Sequence, residues 1–148
     1  MIQGVKTKQL KTIPDNRGRL MEILRADDDI FIGFGQVYMT TVLPHTTKAW
    51  HWHKRQYDLF TCVSGCIRLA LYDNREGSST RSDIMEFEIS QDNPLLVQVP
   101  PEVYHGFKCI GDKEAIIINT VTQPYNHETP DEYRVDAYEN DIDYDWRK

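Results

Sequence analysis

Short segments that alternate apolar and polar residues recur along the chain and constrain its fold more than any other feature. Met85, Phe87 and Ile89 alternate with Glu86 and Glu88, which is the period of a strand with one buried face. The same pattern predicts strands over residues 34–43, 95–99 and 115–121, and two strands over 57–72 that are joined at Ser64-Gly65. Only Ala26 to Phe31 suggests a helix, and that helix is short.

Turn-forming residues separate these segments, as at Asn93-Pro94 and Pro100-Pro101. The chain contains many short strand-like segments and no long stretch with the periodicity of a helix. This pattern predicts an all-β fold. We expect a small antiparallel barrel or sandwich of the jelly-roll type.

Length, charge and cysteine content narrow the possible functions. The 148 residues are expected to form one domain, spanning 1–148, and the net charge of −6 argues against a nucleic-acid surface. No signal peptide is evident, and no apolar run approaches the roughly 18–20 residues that span a bilayer. Cys62, Cys66 and Cys109 cannot all pair within one chain, so reduced thiols are expected. We therefore expect a cytoplasmic protein with no nucleic-acid or membrane partner.

Three histidines and one carboxylate form the candidate site. His51 and His53 are two residues apart, so in a strand both imidazoles project from the same face. Asp58 follows five residues after His53, and His105 closes the segment that begins at Pro100. If these side chains share one pocket, they suit acid/base chemistry or the binding of a metal ion.

Trp50 and Trp52 are expected to face away from the histidines and to need cover. The cover is either another part of the same chain or a partner subunit, because aromatic residues are enriched at dimer interfaces. The segment from Asp131 onwards is acidic, yet it contains Tyr133, Tyr138, Tyr144 and Trp146. A disordered tail has few aromatic residues, so we expect this segment to pack onto the domain or onto a partner.

Five motifs, in order and with similar spacing, resemble those of the dTDP-4-dehydrorhamnose 3,5-epimerases, which act on dTDP-4-dehydro-6-deoxyglucose. They are Asp15-Asn16-Arg17-Gly18-Arg19-Leu20-Met21-Glu22, Gln36, Lys48-Ala49-Trp50-His51, Pro100-Pro101-Glu102-Val103-Tyr104-His105-Gly106-Phe107 and Thr122-Gln123-Pro124-Tyr125. The similarity extends from Asp15 to Trp146. It implies a cupin-like jelly roll, that is, a double-stranded β-helix barrel, and we expect a homodimer.

The resemblance also implies roles for individual residues. His51 stands at the position of the family's catalytic base, and Arg17 and Lys48 stand where the diphosphate is bound. The other expected substrate contacts are Glu22, Gln36, His53, His105, Asn119 and Tyr125.

Three positions depart from the family pattern. The family's tyrosine acid is replaced by Asn119, and the lysine that would steady the enolate is replaced by Asp58. The aspartate that orients the catalytic histidine has no evident counterpart, so Asp58 is expected to serve as the orienting carboxylate. Tyr57, Tyr104 or a bound water is expected to replace the missing acid.

The sequence thus predicts an isomerase that binds a dTDP-linked 4-keto-6-deoxyhexose and moves a proton α to the ketone, for the synthesis of a surface polysaccharide or glycan. No metal and no other cofactor is expected, because the epimerases that the chain resembles use no metal. Two alternatives stay open. One is a metal-binding cupin enzyme with His51, His53, Asp58 and His105 as ligands. The other is a sugar-nucleotide binding module without catalytic activity.

Overall fold

The computed structural model describes residues 1–148 and consists of strands, turns and loops. The first strands are β1 (Lys6–Gln9), β2 (Thr12–Asp15), β3 (Gly18–Met21), β4 (Gln36–Val42), β5 (Thr47–Trp52) and β6 (Asp58–Ser64). The others are β7 (Cys66–Asp73), β8 (Ile84–Ser90), β9 (Leu95–Val99), β10 (Val103–Cys109), β11 (Ala115–Val121) and β12 (Tyr133–Arg134). The fold contains no helix that is long and apolar enough to cross a membrane.

Two five-stranded antiparallel sheets form the barrel. One sheet has the order β1-β9-β6-β11-β4 and the other β12-β5-β10-β7-β8, while β2 and β3 form a separate hairpin. The core is formed by buried apolar side chains from both sheets, among them Phe60, Leu69, Leu71, Val97 and Ile117. This is the cupin-type jelly roll that the sequence predicted, and the all-β fold class is confirmed.

Most of the predicted strands are confirmed. The alternation at residues 85–89 falls inside β8, residues 95–99 and 115–121 coincide with β9 and β11, and residues 57–72 contain β6 and β7. Gly65 forms the turn between β6 and β7 at a φ of 78°, a left-handed conformation that favours glycine.

The predicted helix over Ala26–Phe31 is wrong. The segment forms consecutive turns instead, with Asp28 at its centre. The Asp28 carboxylate accepts a hydrogen bond from the backbone N–H of Arg25 at 2.7 Å and pairs with the ammonium group of Lys8 on β1. These bonds hold the segment against the barrel in a non-helical conformation. The propensities of the residues within the segment do not predict this effect, because one of the bonds comes from Lys8 on another strand.

Strands β5 and β10 are neighbours and contain His51 and His105, and His53 follows directly after β5. His51 on β5 is directly opposite His105 on β10. At Gly106 the two strands approach so closely that a Cβ atom would overlap the side chain of Ala49 and touch Trp146. The missing side chain therefore lets β5 and β10 bring their imidazoles together.

The C-terminal segment covers the outer face of β5. Trp50 is fully buried, with its ring centroid 4.9 Å from that of Trp146 and 5.5 Å from that of Tyr144. Trp52 stacks on Tyr133 with a centroid distance of 4.3 Å. The same chain thus supplies the cover that the two tryptophans were expected to need.

Candidate active site

A cavity of about 1160 Å³ lies beside the histidines. It is lined by residues of β4, β5 and β10 and by the segment from Gln123 to Arg134. His51, His53 and His105 all reach it, so the three imidazoles share one pocket as predicted.

His51 faces a carboxylate from the C-terminal segment. The Nδ1 atom of His51 is 3.4 Å from Oε1 of Glu132, and Arg134 donates to the same oxygen at 2.7 Å. Burial, with a smaller contribution from the charge of Arg134, lowers the pKa of His51 below its ordinary value. The imidazole is therefore neutral at neutral pH, oriented by a carboxylate and able to accept a proton.

The expectation that Asp58 orients His51 is corrected by this geometry. Asp58 begins β6, in the sheet opposite to that of His51, and its Oδ2 lies 3.3 Å from Nε2 of His53. Its other oxygen accepts hydrogen bonds from the amides of Asn119 at 2.7 Å and Gln56 at 3.1 Å. The carboxylate is buried, and burial raises its pKa. Asp58 thus contacts His53, and the carboxylate next to His51 is that of Glu132.

Asn119 lies behind the cavity and holds its neighbours in place. Its amide nitrogen donates to Asp58 and, at 2.8 Å, to the hydroxyl of Tyr38, while its oxygen accepts the backbone N–H of Leu59 at 3.1 Å. The side chain is fully buried and is absent from the cavity lining. Asn119, which was expected to contact substrate, therefore reaches the cavity only through Tyr38.

His53 and His105 are each fixed through Nδ1. The Nδ1 atom of His53 lies 2.5 Å from the backbone oxygen of Asp131, and that of His105 lies 3.3 Å from the backbone oxygen of Val103. The two ring centroids are 5.4 Å apart. Burial lowers the pKa of His105 well below its ordinary value, so this imidazole is neutral.

A tyrosine that the sequence did not indicate lines the cavity. Tyr38 on β4 is among the lining residues, whereas Tyr57 and Tyr104 are not. The Tyr104 ring stacks on Trp52, and its hydroxyl accepts a hydrogen bond from Asn74. Burial, together with the charge of Asp58, raises the pKa of Tyr38 to about 12, so its phenol stays protonated at neutral pH.

The predicted substrate contacts fall into two groups. Gln36, Lys48 and Tyr125 line the cavity, and the side-chain oxygen of Gln36 accepts the backbone N–H of Tyr125 at 2.8 Å. Arg17 and Glu22 lie outside the cavity of their own chain, on or next to the β2–β3 hairpin, where they pair with Asp15 and Arg25.

The lining residues that sequence reasoning missed include Tyr38, Arg55, Glu132 and Arg134. The aromatic content of the C-terminal segment did indicate that it packs onto the domain. Its pairing partner was not evident, because a two-residue strand such as β12 has no periodicity of its own. The pairing of Arg134 with His51 brings Glu132 to the site.

Comparison with known proteins gives matches over nearly the whole chain. The family model described as the polysaccharide biosynthesis C-terminal domain matches residues 13–133. The spore coat polysaccharide biosynthesis protein SpsL of Bacillus subtilis is 36% identical over 146 residues, covering 99% of this chain and 97% of that protein. The probable low-salt glycan biosynthesis epimerase Agl13 of Haloferax volcanii is 37% identical over 147 residues, covering 98% and 94%.

Solved structures agree with the fold. A dTDP sugar isomerase from Desulfovibrio desulfuricans G20 superposes with a TM-score of 0.93 at 32% identity, covering 98% of this chain and 92% of that one. The dTDP-4-dehydrorhamnose 3,5-epimerase from Bacillus anthracis str. Ames has a TM-score of 0.84 at 20% identity, covering 97% and 85%, and shows the shared fold alone.

Proposed function

The chain belongs to the polysaccharide biosynthesis C-terminal domain family and shares the jelly roll of a dTDP-4-dehydrorhamnose 3,5-epimerase, and on this premise we propose that it is a sugar-nucleotide epimerase. It serves polysaccharide biosynthesis, and its substrate is a dTDP-linked 4-keto-6-deoxyhexose. The enzyme removes a proton α to the ketone and returns a proton to the opposite face. The observation that carries this proposal is the pair formed by His51 and Glu132 in the wall of a large cavity.

His51 is the proposed base. Its Nε2 atom is free of the Glu132 contact, which engages Nδ1. A carboxylate on Nδ1 fixes the tautomer that leaves Nε2 unprotonated, and it stabilises the imidazolium that forms when the α-proton is taken. This arrangement favours an enzyme over a binding module, because a module has no use for an oriented imidazole.

Tyr38 is the proposed acid in place of the family's tyrosine. Its hydroxyl accepts a hydrogen bond from Asn119, which leaves the phenolic proton available for donation. Tyr38 is on β4 and His51 is on β5, in different sheets, and both side chains line the cavity. A substrate held between them has a base on one side and a proton donor on the other, as inversion requires.

The diphosphate is proposed to bind at the basic residues of the lining. Lys48 and Arg55 both reach the cavity, and neither forms an ion pair with a carboxylate. Because the whole chain carries a net charge of −6, two unpaired cations in this wall are a specific feature that suits an anionic ligand.

A homodimer is proposed as the functional unit. Strand β4 is at the edge of its sheet. Val37 and Met39 on this strand expose 52% and 60% of their surface, and Leu43 just after it exposes 60%. An exposed apolar edge strand is a site for pairing with another chain. Arg17, which lies outside its own cavity, is proposed to contact the substrate bound by the second copy. Light scattering coupled to size-exclusion chromatography tests the proposed homodimer. Met39→Glu is expected to shift the measured mass toward that of the monomer, because it places a charge on the exposed apolar strand.

We further propose that the enzyme acts in the cytoplasm. Its three cysteines are unpaired, which suits a reducing compartment.

Proton exchange in D2O tests the proposed function. The wild-type protein is incubated with dTDP-4-keto-6-deoxyglucose, and mass spectrometry follows deuterium at C3 and C5 while chromatography follows the epimeric products. Incorporation at one or both carbons supports the epimerase. A protein that binds dTDP, as judged by a rise in Tm, yet incorporates no deuterium is the non-catalytic module. A protein that binds neither dTDP nor UDP overturns the sugar-nucleotide proposal altogether.

A further inference from the structure

Three of the side chains beside the cavity converge on one point. His53, Asp58 and His105 each offer a ligand atom, and these atoms all lie within 4.8 Å of one another. His51 is not part of this cluster, because its ring engages Glu132 and its centroid is 6.4 Å from that of His105. The cluster is thus a set of two imidazoles and one carboxylate.

Each member of the cluster has its second polar atom engaged elsewhere. Nδ1 of His53 and Nδ1 of His105 face backbone oxygens, and a neutral ring that donates from Nδ1 keeps the lone pair of Nε2 for a metal ion. Oδ1 of Asp58 accepts two amide hydrogen bonds, which leaves Oδ2 facing the cluster. Metal-binding histidines and carboxylates are commonly held by such outer partners, because the partners fix the tautomer and the direction of the lone pair.

No lysine or arginine side chain balances the negative charge of the cluster, which comes from Asp58. Asp58 is 1% exposed, and neither a lysine nor an arginine pairs with it. Two amide hydrogen bonds reach Oδ1 of this buried carboxylate, whereas Oδ2 faces the ring nitrogen of His53, so a cation bound at Oδ2 would offset the cost of burying the charge. The 3.3 Å between His53 Nε2 and Asp58 Oδ2 is close to the separation of two ligands that share one metal ion at about 2.0–2.2 Å from each.

We propose that His53, Asp58 and His105 bind one divalent transition-metal ion. Two imidazoles and one carboxylate suit Zn²⁺, Mn²⁺, Fe²⁺ or Ni²⁺ and leave coordination positions open for a substrate oxygen. When bound, the ion would supply positive charge next to the cavity. The metal set thus has three protein ligands rather than the four that the sequence pattern suggested, and His51 stays free to act as a base.

Metal content and metal affinity test this proposal without any assay of activity. Protein purified without chelator is analysed by inductively coupled plasma mass spectrometry, and protein stripped with EDTA is titrated with Zn²⁺ and Co²⁺. We expect about one ion per chain, a higher Tm for the loaded protein, and a Co²⁺ visible spectrum that saturates at one equivalent. A stripped wild-type protein that binds no Zn²⁺ at millimolar concentration overturns the proposal, as does a Co²⁺ spectrum that stays that of the aqueous ion.

Variants separate the proposed site from adventitious binding at the surface. Asp58→Asn and His53→Gln are expected to weaken Zn²⁺ binding at least tenfold. His45→Asn removes an exposed histidine that pairs with Asp112, and it serves as the matched control. His51→Asn is expected to retain the metal, because His51 is not a ligand. Equal Zn²⁺ affinity in the wild type and both ligand variants contradicts the proposal. The wild-type Co²⁺ spectrum decides the question if the ligand variants fail to fold by circular dichroism.

The metal proposal stands apart from the proposed epimerase function. Metal-free protein that still incorporates deuterium into the keto sugar refutes a catalytic use of the ion but leaves both the site and the epimerase intact. Protein that binds the ion but incorporates no deuterium, with or without metal, leaves the site intact and refutes the epimerase.

Discussion

Glu132 and His51 face one another across the β5–β12 strand pair, with 3.4 Å between Oε1 and Nδ1. The contact joins the middle of the chain to its C-terminal segment. It gives the candidate base an orienting carboxylate where the family motifs within the barrel offer none.

Replacing Glu132 by glutamine should lower the rate of deuterium exchange at least tenfold while KM stays near the wild-type value. The amide keeps the shape of the side chain but removes the charge that stabilises the imidazolium. Steady-state kinetics in D2O measure the effect. Glu128→Gln, which changes another carboxylate of the cavity lining, is the matched control and should behave as the wild type.

Replacing His51 by asparagine should reduce exchange by about 10²–10⁴-fold, the usual contribution of a general base. Binding of dTDP, measured by calorimetry, should change little, because the base contacts the sugar rather than the nucleotide. An exchange rate equal to that of the wild type would show that another group takes the proton. His45→Asn controls for the loss of a histidine at the surface.

Replacing Tyr38 by phenylalanine should separate the two halves of the reaction. Deuterium exchange should stay within a few-fold of the wild type, because His51 can remove and return a proton on one face. Formation of the inverted product should fall by about 10²–10⁴-fold, since the donor on the other face is lost. Product analysis by chromatography alongside exchange measures this split, and Tyr138→Phe, which changes an exposed tyrosine outside the cavity, is the control. A parallel fall in both rates would contradict the assignment of Tyr38 as the acid.

Asp73 should make the fold sensitive to acid. Its buried carboxylate accepts hydrogen bonds from Arg75, Ser78 and Thr80, and although burial opposes the effect these bonds lower its pKa below the ordinary 3.8. Because the folded-state pKa is the lower one, the stabilisation is fully present above pH 3.8 and is lost as the pH falls through the folded-state pKa. Asp73→Asn should cost about 3 kcal/mol at pH 7 and much less in strong acid.

Urea unfolding at a series of pH values checks the prediction for Asp73. The exposed Asp92, which forms no ion pair, gives the control variant Asp92→Asn. A destabilisation by Asp73→Asn that is the same at pH 7 and in strong acid would contradict a charge-based role.

Replacing Trp146 by alanine should destabilise the protein by about 3–5 kcal/mol, as expected when a fully buried tryptophan is removed. It should also lower activity, because Trp146 anchors the segment that contains Glu132. Chemical denaturation and the exchange assay measure the two effects. Trp146→Phe, which keeps an aromatic ring against Trp50, should lose less of both.

A structural element could be predicted from the sequence where contacts within its own segment determine its conformation. It could not be predicted where contacts with distant residues determine it. Met85, Phe87 and Ile89 alternate with glutamates because one face of β8 packs on the core and the other faces solvent, so the strand was predictable. The turns around Asp28 depend on Lys8, far away in the chain, and a local pattern gave a helix instead.

The same distinction holds for the site. The spacing of His51 and His53 predicted that both imidazoles reach one cavity, and they do, although His53 lies just beyond the end of β5. The partner of each imidazole was not predictable, since it depends on which strand lies alongside. Asp58 is near His51 in sequence but lies in the opposite sheet, whereas Glu132 is distant in sequence and arrives through the pairing of β12 with β5.

The Trp50, Tyr144 and Trp146 cluster has a consequence for how the protein responds to heat. It forms a small core of its own, separate from the large core between the sheets. The segment that contains Glu132 is thus held by one core and the barrel by another, so the two can melt at different temperatures. Thermal inactivation is then expected to begin before the loss of β-sheet signal, and an activity half-life and a circular dichroism melting curve will measure different events.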